Sequence, residues 1–196
     1  MKDEINTLKE EIIKLKKEIG EELNSDILTN KDEKIMIFNW IRQNAKMKFN
    51  LLFKATRDGD RISAFADKVK GKSPTLVLIK TKTGYKFGGY TTVEWDMTGS
   101  YTYKRDENAF IFSINNKKKF NVKKGYEGDA ICGDPNHFAF GGGHDLTIWD
   151  NFFNNNNSED YYIYNYSYDK IPKYELTGGA NKFYMEECEV YQVKFE

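Results

Sequence analysis

Short apolar stretches separated by turn-forming residues run through this chain from residue 49 onward and constrain its fold more than any other feature. "NLLFKAT", "PTLVLIKT", "AFIFSI", "HFAFGG" and "EECEVYQVKF" are rich in the β-branched and aromatic residues typical of strands, with Gly, Asn and Asp between them. Many short strands joined by turns are typical of two facing antiparallel sheets. The expected fold class is therefore α+β, an antiparallel β-sandwich flanked by helices.

The beginning of the chain follows a different pattern, because its aromatic residues begin only at Phe38. Residues 2–23 are predicted to form an amphipathic helix with an apolar stripe at alternating spacings of three and four. The stripe consists of Ile5, Leu8, Ile12, Leu15 and Ile19. A lone helix of this length is marginal in water. We expect residues 1–25 to be a helical arm, either a short coiled coil that joins chains into a homo-oligomer or a helix folded back on the body, and residues 26–196 to be one domain.

Charge and cysteine content limit the classes of protein to which the chain can belong. The 30 basic residues match the 30 acidic ones, so no general attraction to nucleic acid or anionic membranes is expected. No apolar run is long enough for a membrane span, and the charged amino terminus does not resemble a signal peptide. Two cysteines do not make a disulfide framework, which predicts a reducing, cytoplasmic location.

One local basic patch leaves a nucleic-acid-binding regulator open as an alternative. Its lysines could contact phosphates, and the tyrosine-rich stretch at 151–170 could stack on bases. The patch consists of Lys117, Lys118, Lys119, Lys123 and Lys124. The other interpretation of these lysines is the solvated rim of a hairpin.

Groups able to bind metal ions or to catalyse reactions are few. The soft metal ligands are Cys132, His137, His144 and Cys188, and they lack the paired short spacings typical of zinc sites. We therefore predict no metal, no cofactor and no enzyme activity. An undescribed hydrolase or redox enzyme remains a further alternative. Its acid–base group would be drawn from Asp134, His144, Asp145 and Asp150.

Four segments in a fixed order carry a family resemblance over about residues 27–196. They are "LLFKATRDGD", "GKSPTLVLIKTKTGYKFGGYTTVEW", "AFIFSI" and "ICGDPNHFAFGGGHDLTIW". Together they resemble the TLDc family, the domain shared by oxidation-resistance proteins and some TBC-type proteins. The signature positions are Arg57, Asp58, Gly59, Gly88, Gly89, Trp95, Gly133, Asp134, Gly141, Gly142, Gly143 and Trp149. The chain departs from the family where its glycine run ends at Gly143, and where an Asn- and Tyr-rich segment occupies 151–170.

The resemblance implies a β-sandwich with helices, an intracellular location, a role in protection against oxidative stress and, for some relatives, binding to the peripheral sector of the vacuolar proton pump (V-ATPase). It implies no known reaction. From the residues themselves we expect Arg57 and Asp58 to form an ion pair that fixes the first turn. We expect the glycines to serve turns and close packing, with Gly88 and Gly89 in a strand bulge.

Overall fold

The computed structural model describes residues 5–7, 23–43, 45–154, 158–160, 165–180 and 182–196. Residues 5–7 are helical, and the Ile5 side chain is 48% exposed. The other residues of the predicted apolar stripe, which are Leu8, Ile12, Leu15 and Ile19, lie outside the described residues. The helical arm and its self-association therefore stay predictions.

Three α-helices, one 3₁₀ turn and eleven strands form the described body. The helices are α1 Lys31–Ile41, α2 Ala55–Asp58 and α3 Ile62–Val69, and the 3₁₀ turn is Glu127–Asp129. The strands are β1 Met47–Lys54, β2 Thr75–Thr81, β3 Lys86–Thr91, β4 Thr102–Lys104, β5 Phe110–Ser113, β6 Lys118–Asn121, β7 Ile131–Asp134, β8 His137–Phe140, β9 Leu146–Trp149, β10 Glu159–Asp160 and β11 Met185–Phe195.

The strands form two antiparallel sheets. The first sheet has the order β1-β11-β2-β3-β5-β6, and the second has the order β10-β9-β8-β7-β4. The strand β11 thus lies inside the first sheet, between β1 and β2. This arrangement confirms the predicted α+β class with a sandwich-like pair of sheets.

Both faces of the first sheet are buried. One face contributes Val77, Ile79 and Ile111 to the core between the sheets, where they join Phe138 and Phe140 of the second sheet. The opposite face carries a second core that is covered by α1 and by residues 23–28. Burial on both sides explains why β2 reads as a continuous apolar run and not as an alternating one.

The segment at residues 23–28 is attached to β11 by the carboxylate of Glu189, which is itself 1% exposed. Oε2 of Glu189 accepts a hydrogen bond from Ser25 Oγ (2.5 Å), and Oε1 accepts one from the Asp26 backbone (3.0 Å). The Tyr191 hydroxyl lies 2.9 Å from Oε2 and 2.6 Å from the Asn24 carbonyl, so its single proton has two acceptors within reach. Ser25 Oγ in turn accepts from the backbone N–H groups of Ile27 and Leu28. A buried polar network therefore positions the layer that covers the first sheet.

Candidate functional site

The outer face of the second sheet carries a row of chemically active side chains. Successive residues of a strand point to opposite faces, so the apolar residues of β7, β8 and β9 enter the core while their neighbours point outward. The outward residues are Cys132, Asp134, His137, Ala139, Thr147 and Trp149. Cys132 and His137 are nonetheless buried, at 0% and 1% exposure. Polar groups buried outside the main core are unusual and mark this face as the candidate site.

Cys132, His137 and His144 form one cluster. Three ligand atoms lie within 4.8 Å of one another: the thiol sulfur of Cys132 and one imidazole nitrogen from each histidine. Cys132 stands opposite Ala139 in the β7–β8 hairpin, which makes His137 its diagonal neighbour across the two strands. The imidazole of His144 completes the cluster from the loop that follows β8, with ring centroids of the two histidines 4.9 Å apart.

The glycine run forms the turn that brings His144 over the sheet. The backbone N–H of His144 donates to the Gly141 carbonyl at 3.0 Å, and Gly141 has a φ of +94°. His144 itself has a φ of +59°, a left-handed conformation that costs free energy in residues other than glycine. Gly142 donates its N–H to Ser167 Oγ at 2.8 Å. The glycines thus shape a tight turn, as the sequence suggested, and this turn places an imidazole.

Burial sets the protonation of the cluster. Burial lowers the pKa of His137, although Asp134 acts in the opposite direction. Burial and the neighbouring His137 lower the pKa of His144. Both imidazoles are therefore neutral at pH 7. Burial also raises the pKa of the Cys132 thiol to about 11, with a further contribution from Asp134, so this group is a thiol at the same pH.

Hydrogen bonding within this face is incomplete. Among the described residues, neither ring nitrogen of His137 has a hydrogen-bond partner, and the same is true of Trp149 Nε1. His137 Nδ1 lies 3.5 Å from Asp134 Oδ1, which is longer than a hydrogen bond. Asp134 is held in place by the backbone N–H of Asn136 (2.9 Å) and of Tyr101 (3.4 Å). A buried imidazole with two unpaired nitrogens is costly and requires an explanation.

The sequence did not indicate that these ligands meet. Spacings along the chain separate them, and the expectation of no metal site rested on those spacings. The structure brings three of the four soft ligands together, while Cys188 is buried in β11 of the other sheet. The usable signal was the hairpin "ICGDPNHF", whose two-residue alternation puts Cys132 and His137 on one face. The contribution of His144 depends on a turn that alternation does not describe.

The predicted acid–base group is divided among separate roles. Asp150 Oδ1 accepts the backbone N–H of Ile62 at 2.7 Å, at the start of α3, and Asp150 also pairs with Arg61. The Asp145 carboxylate is buried and accepts the backbone N–H groups of Tyr166 (2.6 Å) and Ser167 (2.9 Å). Asp145 therefore fastens the glycine turn to the loop at residues 165–168 and does not act as the partner of His144.

The buried Asp145 carboxylate should leave a signature in the pH dependence of stability. Burial raises its pKa from the ordinary 3.8 to about 6, despite the hydrogen bonds from the backbone. The folded state then binds the proton more tightly than the unfolded state, so ionisation of Asp145 lowers stability as the pH rises from about 4 to about 6. The loss is at most roughly 3 kcal/mol.

Urea unfolding of the wild type and Asp145→Asn at pH 4, 5, 6 and 7 measures this effect. The variant cannot ionise at residue 145, so the stability of the wild type minus that of the variant should fall with rising pH. A difference that stays flat or increases would mean that the two backbone donors outweigh burial.

The paired glycines of β3 lie in an unbroken strand, which corrects the expected bulge. Gly88 pairs with Leu78 and Gly89 with Val77 in continuous register. A Cβ on Gly88 would lie 1.9 Å from the Val77 carbonyl oxygen, and one on Gly89 would lie 2.3 Å from Cζ of Phe140. Close approach of neighbouring groups therefore explains both glycines. The bulges of the first sheet are elsewhere, in β1 and β11.

Other signature residues have packing roles. Trp95 is 5% exposed and donates from Nε1 to Thr75 Oγ1 at 3.0 Å. A Cβ on Gly133 would lie 2.0 Å from the Asp96 carbonyl oxygen. Gly143 belongs to the glycine turn, and Trp149 packs its ring against His137 with the centroids 4.7 Å apart.

The first signature turn contains the expected ion pair. Arg57 Nη2 lies 2.6 Å from Asp58 Oδ2, which also accepts the Lys54 backbone N–H at 2.9 Å. The hydrogen bond from Arg57 and the Lys54 N–H hold the pKa of Asp58 below its usual value. The Asp58 side chain is 10% exposed and that of Arg57 is 49% exposed, so only the carboxylate of this ion pair is largely buried. Gly59, with a φ of +100°, ends α2.

The lysine patch is distributed around the β5–β6 hairpin. Lys118 pairs with Glu175 at 2.9 Å, and Lys123 donates to the Asn165 carbonyl at 2.6 Å. Lys119 donates to the Trp40 carbonyl and lies over the Phe110 ring, and burial lowers its pKa. Lys117 and Lys124 are exposed. Three of the five lysines are thus engaged with the protein, which leaves a weak phosphate-binding surface.

Four exposed tyrosines lie around the border of the second sheet, in or next to β4, the 3₁₀ turn and the loop at residues 165–168. Tyr103 lies in β4 opposite Cys132, and the hydrogen bond from Ala130 N to the Lys104 carbonyl joins β4 to the end of the 3₁₀ turn. Tyr101 stacks on His144 with ring centroids 5.6 Å apart, and Tyr126 meets Tyr166 at 5.3 Å. We call this border the tyrosine edge: Tyr101, Tyr103, Tyr126 and Tyr166, which are 49%, 40%, 41% and 45% exposed.

Among the described helices, none has both the length and the apolar character needed to cross a membrane.

Comparison with known proteins identifies the family. The TLDc domain matches residues 22–194. The chain is also similar to MTOR-associated protein MEAK7 of Mus musculus (24% identical over 95 residues, 48% of this chain and 19% of the relative) and of Gallus gallus (26% over 109 residues, 52% and 23%). It thus spans about a fifth of the length of these curated relatives. With a match over nearly its whole length and the four segments in their two-sheet arrangement, the chain belongs to the TLDc domain family.

Proposed function

We propose that this chain is a non-enzymatic protein-binding module of a cytoplasmic assembly, and that its partner docks on the tyrosine edge. The observation that carries this proposal is the exposure of four tyrosines in or next to β4, the 3₁₀ turn and the loop at residues 165–168. Tyrosine is enriched at protein interfaces, because its ring supplies apolar contact area and its hydroxyl still finds a partner. Grouped aromatic side chains therefore favour a docking surface over an isolated exposed residue.

The partner that we propose is the peripheral sector of the vacuolar proton pump, with a role in protection against oxidative stress. Membership of the TLDc family supports this choice through the resemblance already described. The relatives in mouse and chicken are named for association with MTOR. An MTOR-containing assembly is therefore the second candidate partner.

The contacts of the acidic side chains favour binding over catalysis. Asp145 and Asp150 are occupied with backbone N–H groups, so neither is placed as the base for a hydrolase built on His144. The engaged lysines and the formal net charge of zero likewise give little support to a nucleic-acid-binding regulator.

The test is the affinity of the purified chain for the purified pump sector and for an MTOR-containing complex, measured by biolayer interferometry. Tyr126→Ser combined with Tyr166→Ser should weaken binding at least about tenfold, because two interface tyrosines contribute about 1 kcal/mol each. Tyr184→Ser is the matched control. It is 46% exposed and lies beside β11, with Lys82 over its ring.

The control variant should bind within about twofold of the wild type. A wild type that binds neither preparation would overturn the proposed partners. A double variant that binds as tightly as the wild type would overturn the assignment of the surface.

A further inference from the structure

We infer that Cys132, His137 and His144 form a binding site for a zinc ion, with three protein ligands and an open fourth position. This site is independent of the protein-binding role proposed above. The combination of one thiolate and two imidazoles is chemically suited to zinc, which prefers sulfur and nitrogen ligands and is held by three protein groups where a position stays open.

The geometry of the cluster fits this ion. Zinc–sulfur and zinc–nitrogen bonds of ~2.3 and ~2.0 Å at tetrahedral angles put the ligand atoms ~3.5 Å apart. The three atoms already lie within 4.8 Å of one another. Bringing the ligand atoms to the separation that zinc requires takes a movement of about 1 Å, which small changes in side-chain torsion angles provide.

The unpaired nitrogens of His137 are the second, independent observation. The side chain is 1% exposed, and neither nitrogen has a hydrogen-bond partner among the described residues. Asp134 Oδ1 lies 3.5 Å from Nδ1. A carboxylate on one side of a metal-binding histidine orients the ring and fixes the proton on the nearer nitrogen. Because Asp134 lies nearest Nδ1, a metal ion bound at Nε2 would leave the Nδ1–H facing this carboxylate.

The charges at the site balance. A zinc ion carries two positive charges, the Cys132 thiolate supplies one negative charge, and the Asp134 carboxylate behind His137 supplies the second. Buried ions require such compensation. Zinc binds cysteine as the thiolate and histidine as the neutral imidazole, so binding has to displace the thiol proton.

Access and orientation come from the glycine turn and the tyrosine edge. His144 is half-buried, and Tyr101, which stacks on it, is 49% exposed, so the cluster lies close to solvent. His144 has a left-handed backbone, and its ring centroid lies 4.9 Å from that of His137. Unfavourable backbone conformations that persist at one residue are frequent at binding sites.

The experiment is zinc titration of the purified full chain after treatment with a chelator, by calorimetry at pH 7.5 in two buffers of different ionisation enthalpy. One equivalent should bind with a Kd of about 1 µM or tighter, and about one proton should be released per zinc ion, from the thiol. Bound Co²⁺ should give a thiolate charge-transfer band and the intense visible bands of a four-coordinate site.

Three variants and a matched control test the ligands. Cys132→Ala and His144→Asn should weaken zinc binding at least about 100-fold, and Asn tolerates the left-handed backbone at residue 144. Asp134→Asn should weaken it about 10- to 100-fold. Cys188→Ala removes the other buried cysteine, in the other sheet, and should bind zinc like the wild type. Circular dichroism and the Tm without zinc establish that each variant is folded.

A wild type that binds no zinc overturns the inference. The same holds for a folded Cys132→Ala variant that retains wild-type affinity, or for equal losses in Cys132→Ala and Cys188→Ala. Release of no proton would exclude the thiolate as a ligand.

Discussion

Gly88→Ala should lose more than about 4 kcal/mol of stability, enough to prevent most of the protein from folding. The added Cβ would lie 1.9 Å from the Val77 carbonyl oxygen and 2.8 Å from Cζ of Phe112. Real atoms do not approach so closely, and the first obstacle is backbone. The β2–β3 pairing at the centre of the first sheet would therefore have to separate. Urea unfolding and the yield of soluble protein measure the effect.

Gly89→Ala tests whether contact with one neighbouring side chain, the ring of Phe140, causes the loss of stability. Its Cβ would meet the ring of Phe140, which is fully buried and packs against Trp95. Phe140→Leu removes that ring at a cost of its own. If the ring is the obstacle, the second substitution costs less in the Gly89→Ala background than in the wild type, and a double-mutant cycle measures the difference.

Gly128→Ala is the control for both glycine variants. A Cβ at that residue meets nothing within 4 Å, and stability should stay within about 0.5 kcal/mol of the wild type. Equal losses at residues 88 and 128 would mean that general flexibility, and not close packing, explains these glycines.

Glu189→Ala should lose about 3 kcal/mol, because it removes the acceptor of two donors and creates a cavity at a buried position. Ser25 Oγ and the Asp26 N–H donate to this carboxylate, whereas the Tyr191 hydroxyl keeps the Asn24 carbonyl as an acceptor. Without it, the segment at residues 23–28 loses two hydrogen bonds to β11, although the bond between Tyr191 and Asn24 remains and the apolar side chains still cover the sheet. Urea unfolding gives the loss, and faster hydrogen exchange at the backbone N–H of Leu28 locates it.

Glu186→Ala on the same strand is the matched comparison. Glu186 forms an exposed ion pair with Lys80 at 2.7 Å, and such pairs contribute at most about 1 kcal/mol. A loss at residue 189 no larger than that at residue 186 would contradict the importance of the buried network.

Several features of the fold follow from local patterns in the sequence. The continuous apolar run of "TLVLIK" is typical of a strand buried on both faces, and β2 is such a strand. In "HFAF" and "LTIW" alternate residues lie on opposite faces of β8 and β9. The glycine run at residues 141–143 was expected to form a turn, and Gly141 lies in one with a positive φ.

Other features depend on groups that are far apart in the chain. The local sequence "EECEVYQ" does not show that Glu189 is buried. Its hydrogen-bond donor Ser25 is far away in the chain. The bulge expected at Gly88 and Gly89 was wrong because the neighbouring strand and the Phe140 ring, neither visible from the local sequence, explain the missing side chains.

The sequence alone determined the fold class and the TLDc family, because strand periodicity, turn residues and signature spacing are local properties of the chain. Only the tertiary structure decided that Cys132, His137 and His144 meet on the outer face of the second sheet, and that Asp145 binds the backbone N–H groups of Tyr166 and Ser167. The physical reason is that pairing across strands and the folding of one turn over a sheet set distances between side chains, and spacing along the chain does not record these distances.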